Sequence, residues 1–238
     1  MPAQPLGRID RQDAAVILGE RKLYVAALLY PIPGAPQGYT DRLTAYWKAI
    51  DTHVAKLEAR AGVVKHIFHE GVADAGESAL EAIKEINPPA MSVIKSRIDA
   101  GAEFEALEND EAFAETVDWS RCAQLGFMSR KVADVVSEAY RKATEARFNH
   151  MRQAIEETLG QSEAGLLIAA STRGLQLSAT IHLYNVVPPE LDELMRWLRD
   201  ASAQGREQYE SEEETREHGP ADEPPAKPGG SKLWVPGT

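Results

Sequence analysis

A chain of 238 residues, 43% hydrophobic and 26% charged, has the material for a packed core and excludes a fibrous or wholly disordered protein. The formal charge of −11, from 26 basic and 37 acidic residues, disfavours nucleic acid as a partner, because no local basic patch offsets it. The single cysteine, Cys122, forbids an internal disulfide and fits a reducing, cytoplasmic setting; the opening residues lack the apolar core of a signal peptide, and the longest apolar run, Leu23 to Ile32, is shorter than the roughly 20 residues of a membrane span.

Leu23 to Ile32 (LYVAALLYPI) reads as a buried strand that ends in the Pro/Gly-rich loop PIPGAPQGYT, before a helix starting at Asp41. There Leu43, Tyr46/Trp47, Ile50, Val54 and Leu57 recur every three or four residues, and Gly62 closes the helix. Val63 to His69 is a second strand, leading through GVADAGES into a helix that points Leu80, Ile83 and Ile86 inward. Asn87, Pro88 and Pro89 break that helix and open another, with Met91, Ile94 and Ile98 inward, up to Gly101. AEFEALE, residues 102–108, reads as a strand with Glu103 and Glu105 on one solvated face.

A short helix around Phe113 to Trp119 precedes the longest element, capped by Ser129 and ended by Gly160. Its roughly 30 residues would span about 45 Å, more than a small sheet can cover, so part of it should project or pack on a second copy. Strands GLLIAA (165–170) and TIHLYNVV (180–187) follow, and then a helix opened by Pro188 and Pro189 with Leu191, Leu194, Trp197 and Leu198 inward. The short link between those strands favours an antiparallel arrangement, since a parallel crossover usually takes a dozen or more residues.

The expected fold is α/β or α+β: one domain over residues 1–203, with a mixed sheet of about five strands and helices packed on it. Residues 204–238 read as a disordered acidic Pro/Gly-rich tail that is dispensable for folding. The Leu233, Trp234 and Val235 knot near its end reads as a linear motif for a protein partner.

Lys65, His66, His69, Glu70, Asp74 and Glu77 form the richest polar cluster, near a strand's carboxyl end, where open α/β sheets bind ligands. His66 and His69 are three apart on a strand and should point to opposite faces, so they are not expected to share a metal ion. GVADAGES has the glycine spacing of a phosphate loop but carries Glu77 where that motif needs lysine; Asp74 reads instead as a cap and Glu77 as a first-turn acid. Arg121 and Cys122 form a second cluster, with Cys122 read either as a nucleophile or as a small core residue, and with Asp118 paired to Arg121 on a helix surface.

The stretches YTDRLTAYWKAID, VVKHIFHEGV, AEFEALENDE, VDWSRC and NVVPPELDELMRWLRD together resemble a bacterial family of hypothetical proteins. That resemblance covers roughly residues 20 to 200 and implies no activity. A more limited similarity, confined to the alternation of strands and helices and the long helix, links the chain to archaeal and eukaryotic-type release-factor and ribosome-rescue proteins. It lacks their Gly-Gly-Gln, since Gly229-Gly230 is followed by Ser231, so this similarity implies at most a ribosome-associated factor without peptidyl-tRNA hydrolysis.

Two functional readings from different classes follow. One is a non-catalytic binding or regulatory protein that self-associates, by default as a homodimer, through Val136, Tyr140 and Ala143 of the long helix. The other is a small-molecule hydrolase or transferase in which His66, His69 and Glu70 serve as acid, base or ligand groups, supported by Arg121 or Cys122. Neither reading calls for a cofactor, a metal or a membrane.

Overall fold

The computed structural model describes residues 19–201 and 203. Five parallel strands form one sheet in the order β3-β2-β4-β1-β5: β1 (Arg21–Ala27), β2 (Val64–His69), β3 (Glu103–Phe104), β4 (Ala164–Ala169) and β5 (Ile181–Val186). The helices are α1 (Gln37–Ala61), α2 (Gly76–Ile86), α3 (Met91–Asp99), α4 (Asp110–Gln124) and α5 (Arg130–Thr158), with a 3-10 turn at Pro88–Ala90 and further helical residues at 189–201. The compact unit that contains the sheet ends at Met195. The acidic tail, with Leu233, Trp234 and Val235, lies outside the described residues.

Helices cover both faces of the sheet, which is why the central strands read as unbroken apolar runs; every residue of β4 is buried. Leu23 and Val25 of β1 join Phe68, Leu167 and Ala169 in a core cluster with Met151 and Ile155 of α5 and Leu159 just past it. Tyr24 and Ala26, by alternation, face the opposite side, where α1 buries Leu43, Tyr46, Trp47, Ile50 and Val54 and the Tyr46 hydroxyl donates to the Ala27 carbonyl at 2.5 Å. On α3 the buried positions include Val93, Ile94 and Arg97, while Ile98 is only half-buried. Arg97 ties α3 to α1 through ion pairs with Asp51 and, at 3.2 Å, Glu58.

The sheet is parallel throughout rather than mixed, and β4 and β5 are not neighbours: both pair in parallel with β1, which lies between them. The expected antiparallel pairing fails because a crossover needs reach, not a helix. Residues 170–180 can span about 35 Å when extended, enough to return along one short strand and step over another. That loop packs on α5 at Gly174, where an added Cβ would overlap the Phe148 ring. Gly174→Ala is therefore expected to cost about 1–3 kcal/mol by overpacking, read from urea denaturation, and Phe148→Leu in the same chain should recover part of the loss.

Two local expectations also change. The 102–108 stretch pairs only at Glu103–Phe104, and beyond it Glu108 turns inward. Helix α2 begins at Gly76 with Ala75 in the cap position and no side-chain cap, so Asp74 does not cap it, although Glu77 does sit in its first turn.

The long helix matches its expected limits, with Ser129 in the cap position and Leu159 just past its end. Only its second half reaches the sheet core. The first half pairs with α4 in a helical hairpin, and Val136 and Ala143 are buried within the chain itself. They are therefore not an open seam for a second copy.

Candidate functional site

Adjacent strands β1 and β4 send their connections to opposite sides, β1 through α1 to β2 and β4 to β5, which opens a switch-point crevice at their carboxyl ends. Glu70, just past β2, sits beside that place, against the residue that follows β4. Its Oε2 accepts from the Ala170 N–H at 2.6 Å, and its Oε1 accepts from Arg147 Nη2 at 3.0 Å. Arg147 also holds Glu108 through two N–H groups, Nε to Oε2 at 2.9 Å and Nη2 to Oε1, and its guanidinium lies 4.9 Å from the centre of the Phe113 ring. Glu108 accepts in addition from the Gly71 N–H at 3.1 Å, a bond made possible by the positive φ of 87° that glycine supplies after β2. This network joins the carboxyl edge of the sheet to both helices of the hairpin.

His69 lies on the other face of β2 and is fully buried. Its Nδ1 donates to the Glu70 carbonyl at 2.7 Å, leaving Nε2 as an acceptor without a hydrogen-bond partner. Burial pushes the ring's pKa down to about 4, against the smaller opposing effect of the Glu70 carbonyl, so His69 is neutral at pH 7. The Tyr30 hydroxyl donates to the same carbonyl at 3.3 Å, and burial together with the carboxylates of Glu70 and Glu108 pushes this phenol up to about 12.

His66 points to the α5 face, opposite His69 as the strand spacing requires. Its Nδ1 lies 2.7 Å from Glu105 Oε1 and its Nε2 3.1 Å from Glu163 Oε2. Glu163 is held in turn by the Gly160 N–H at 2.8 Å, which with the His66 ring keeps its carboxyl below the usual range. His66 is the register partner of Glu103, and His66, Glu103 and Glu105 each offer a ligand atom within 4.8 Å of the others. Glu103 and Glu105 also line a cleft of about 420 Å³ with Glu77, Leu80, Ile98 and Phe104. Comparison with protein-family models, curated proteins and solved structures returned no match.

The five residues singled out as catalytic candidates are thus distributed over separate places. His66 and Glu70 share a face but belong to different networks, and His69 is sealed on the other side. Arg121 and Cys122 sit near the hairpin tip, with Arg121 paired to Asp118 at 3.3 Å on an exposed surface. From Phe113, which marks the level of Arg147, Cys122 lies about 13 Å further along α4.

Glu108 and Arg147 were missed by sequence reasoning, yet Arg147 left a signal. It occupies the apolar stripe Ala143, Arg147, Met151, Ile155 at four-residue spacing, where a charge demands a buried partner.

Proposed function

We propose that this protein is a non-catalytic binding protein that self-associates through the outer face of its α4–α5 hairpin. One observation carries the reading: beyond the sheet, the hairpin exposes Leu125 (78%) and Met128 (108%) in the turn between its helices and Val132 (46%) and Val135 (59%) on α5, the last two three residues apart on one helix face. Charge favours a second copy as the occupant. Arg130 and Lys131 stand at the positive end of the α5 dipole, and no acidic residue lies in that first turn. A second copy of this chain, with 37 acidic against 26 basic residues, offers carboxylates to that basic end.

The carboxyl end of β2 supports a non-catalytic reading, because both oxygens of Glu70 are committed to Ala170 and Arg147. No described helix is long and apolar enough to cross a membrane. The charges Val132→Asp and Val135→Asp would introduce fall on exposed positions, so the variant should keep its circular dichroism while shifting from dimer to monomer in sedimentation. A wild-type chain that stays monomeric at high micromolar concentration would refute the proposal.

A further inference from the structure

We propose that His66, Glu103 and Glu105 form a binding site for a divalent transition-metal ion of the zinc class at the β3 edge of the sheet. This site is independent of the hairpin. Three features of its construction point to a cation. First, the donor atoms are brought together by sheet register: His66 and Glu103 are cross-strand partners, and Glu105, two residues on, shares Glu103's face, so the atoms lie within 4.8 Å of one another without loop rearrangement. Glu105 is fixed further by its backbone N–H, which donates to the Ile67 carbonyl at 2.9 Å.

Second, the imidazole is oriented from behind. Metal-binding histidines characteristically donate their other ring N–H to a carboxylate, and here Glu163, itself held by the Gly160 N–H, faces Nε2 while Nδ1 faces the carboxylates of β3. Third, the charge does not balance. The carboxylates of Glu103, Glu105 and Glu163 surround one imidazole, so even a fully protonated ring leaves an excess of negative charge, to which Glu77 adds across the cleft. Exposed Lys65 acts on Glu163 from the solvent side and offsets only part of this. A cation at Nδ1 would replace the Glu105 hydrogen bond with two carboxylate ligands and one nitrogen ligand. This mixed nitrogen and oxygen set suits Zn²⁺, Mn²⁺ or Fe²⁺ better than Mg²⁺, which prefers all-oxygen octahedral surroundings. Three protein ligands leave a coordination position open, and two of them, Glu103 and Glu105, also line the cleft with Leu80, Ile98 and Phe104.

The test uses the full chain without an affinity tag, stripped with chelator and titrated with Co²⁺ and then Zn²⁺. The expected result is one equivalent of Co²⁺ with the intense visible absorption of a low-coordinate ion, displaced by Zn²⁺ and indifferent to excess Mg²⁺. Glu103→Gln, at an exposed position where folding should be unaffected, and His66→Gln should each weaken binding at least about tenfold. Glu163→Ala, which keeps all three ligands but frees the ring, should weaken it by roughly 10–100-fold. His182→Gln removes a different histidine–carboxylate pair, with Glu20 at 2.8 Å, and should change nothing. Should His66→Gln misfold by circular dichroism, Mn²⁺ broadening of the His66 ring resonances in the wild type gives the same answer. Absence of stoichiometric binding, or binding unaltered in Glu103→Gln and His66→Gln, would overturn the site.

Discussion

Replacing Arg147 with methionine is expected to cost about 3–5 kcal/mol of folding stability, the range for breaking a buried ion pair by removing one partner. The guanidinium holds two carboxylates at once, and its loss leaves the Glu108 side chain, 2% exposed, with only the Gly71 N–H, and Glu70, 16% exposed, with only the Ala170 N–H. Glu108→Ala should be less damaging, because Arg147 keeps Glu70 and its position over Phe113. Removing both charges, as Arg147→Met with Glu108→Leu, should recover much of the loss, since burying a pair is itself costly and an apolar replacement of similar volume avoids that cost. Urea denaturation of the wild type, the two single variants and the double variant supplies the cycle. A loss below about 1 kcal/mol in Arg147→Met, the scale of an exposed pair, would show that water reaches this network and that it does not fix the hairpin to the sheet.

Acidification should expose His69 in a separate way. Its folded pKa of about 4 lies below the unfolded value of about 6.5, so between these limits the unfolded chain binds more protons. Stability therefore falls as pH drops from about 6.5 to about 4, is fully present above that window, and changes no further through this group below it. The separation corresponds to about 3 kcal/mol. Other titrating groups act on the same curve, so the informative quantity is the difference between wild type and His69→Gln, which keeps a donor for the Glu70 carbonyl but cannot take a proton. That difference should vanish in its pH dependence above about 6.5 and grow towards pH 4. A His69 ring that titrates near 6.5 in the folded protein, followed by NMR, would contradict the burial argument.

Both predictions concern residues whose chain positions were plain and whose partners were not. The alternation of a strand is a property of its backbone, so the placement of His66 and His69 on opposite faces was legible from their spacing alone. The same holds for the long helix between Ser129 and Gly160, for the face of α1 that carries Leu43, Tyr46, Ile50 and Val54, and for the exposed Asp118–Arg121 pair. Each depends on neighbours within about one helical turn or two strand residues, where the repeat of the backbone decides what meets what.

Partners far apart along the chain were decided only by tertiary packing. Glu70 and Arg147 are 77 residues apart and Glu108 and Arg147 are 39 apart, and no local repeat relates them; they meet because β2, the segment leading into α4, and α5 converge at one corner of the sheet. Sheet order brought Glu105 and Glu163 to the two nitrogens of His66 in the same manner. The parallel direction of β5 was set by the reach of residues 170–180, and the burial of Val136 and Ala143 by α4, which shields them before any second copy can. Periodicity tells which side of an element is apolar; what covers that side, and which charge waits there, is fixed by the packing of elements distant in sequence.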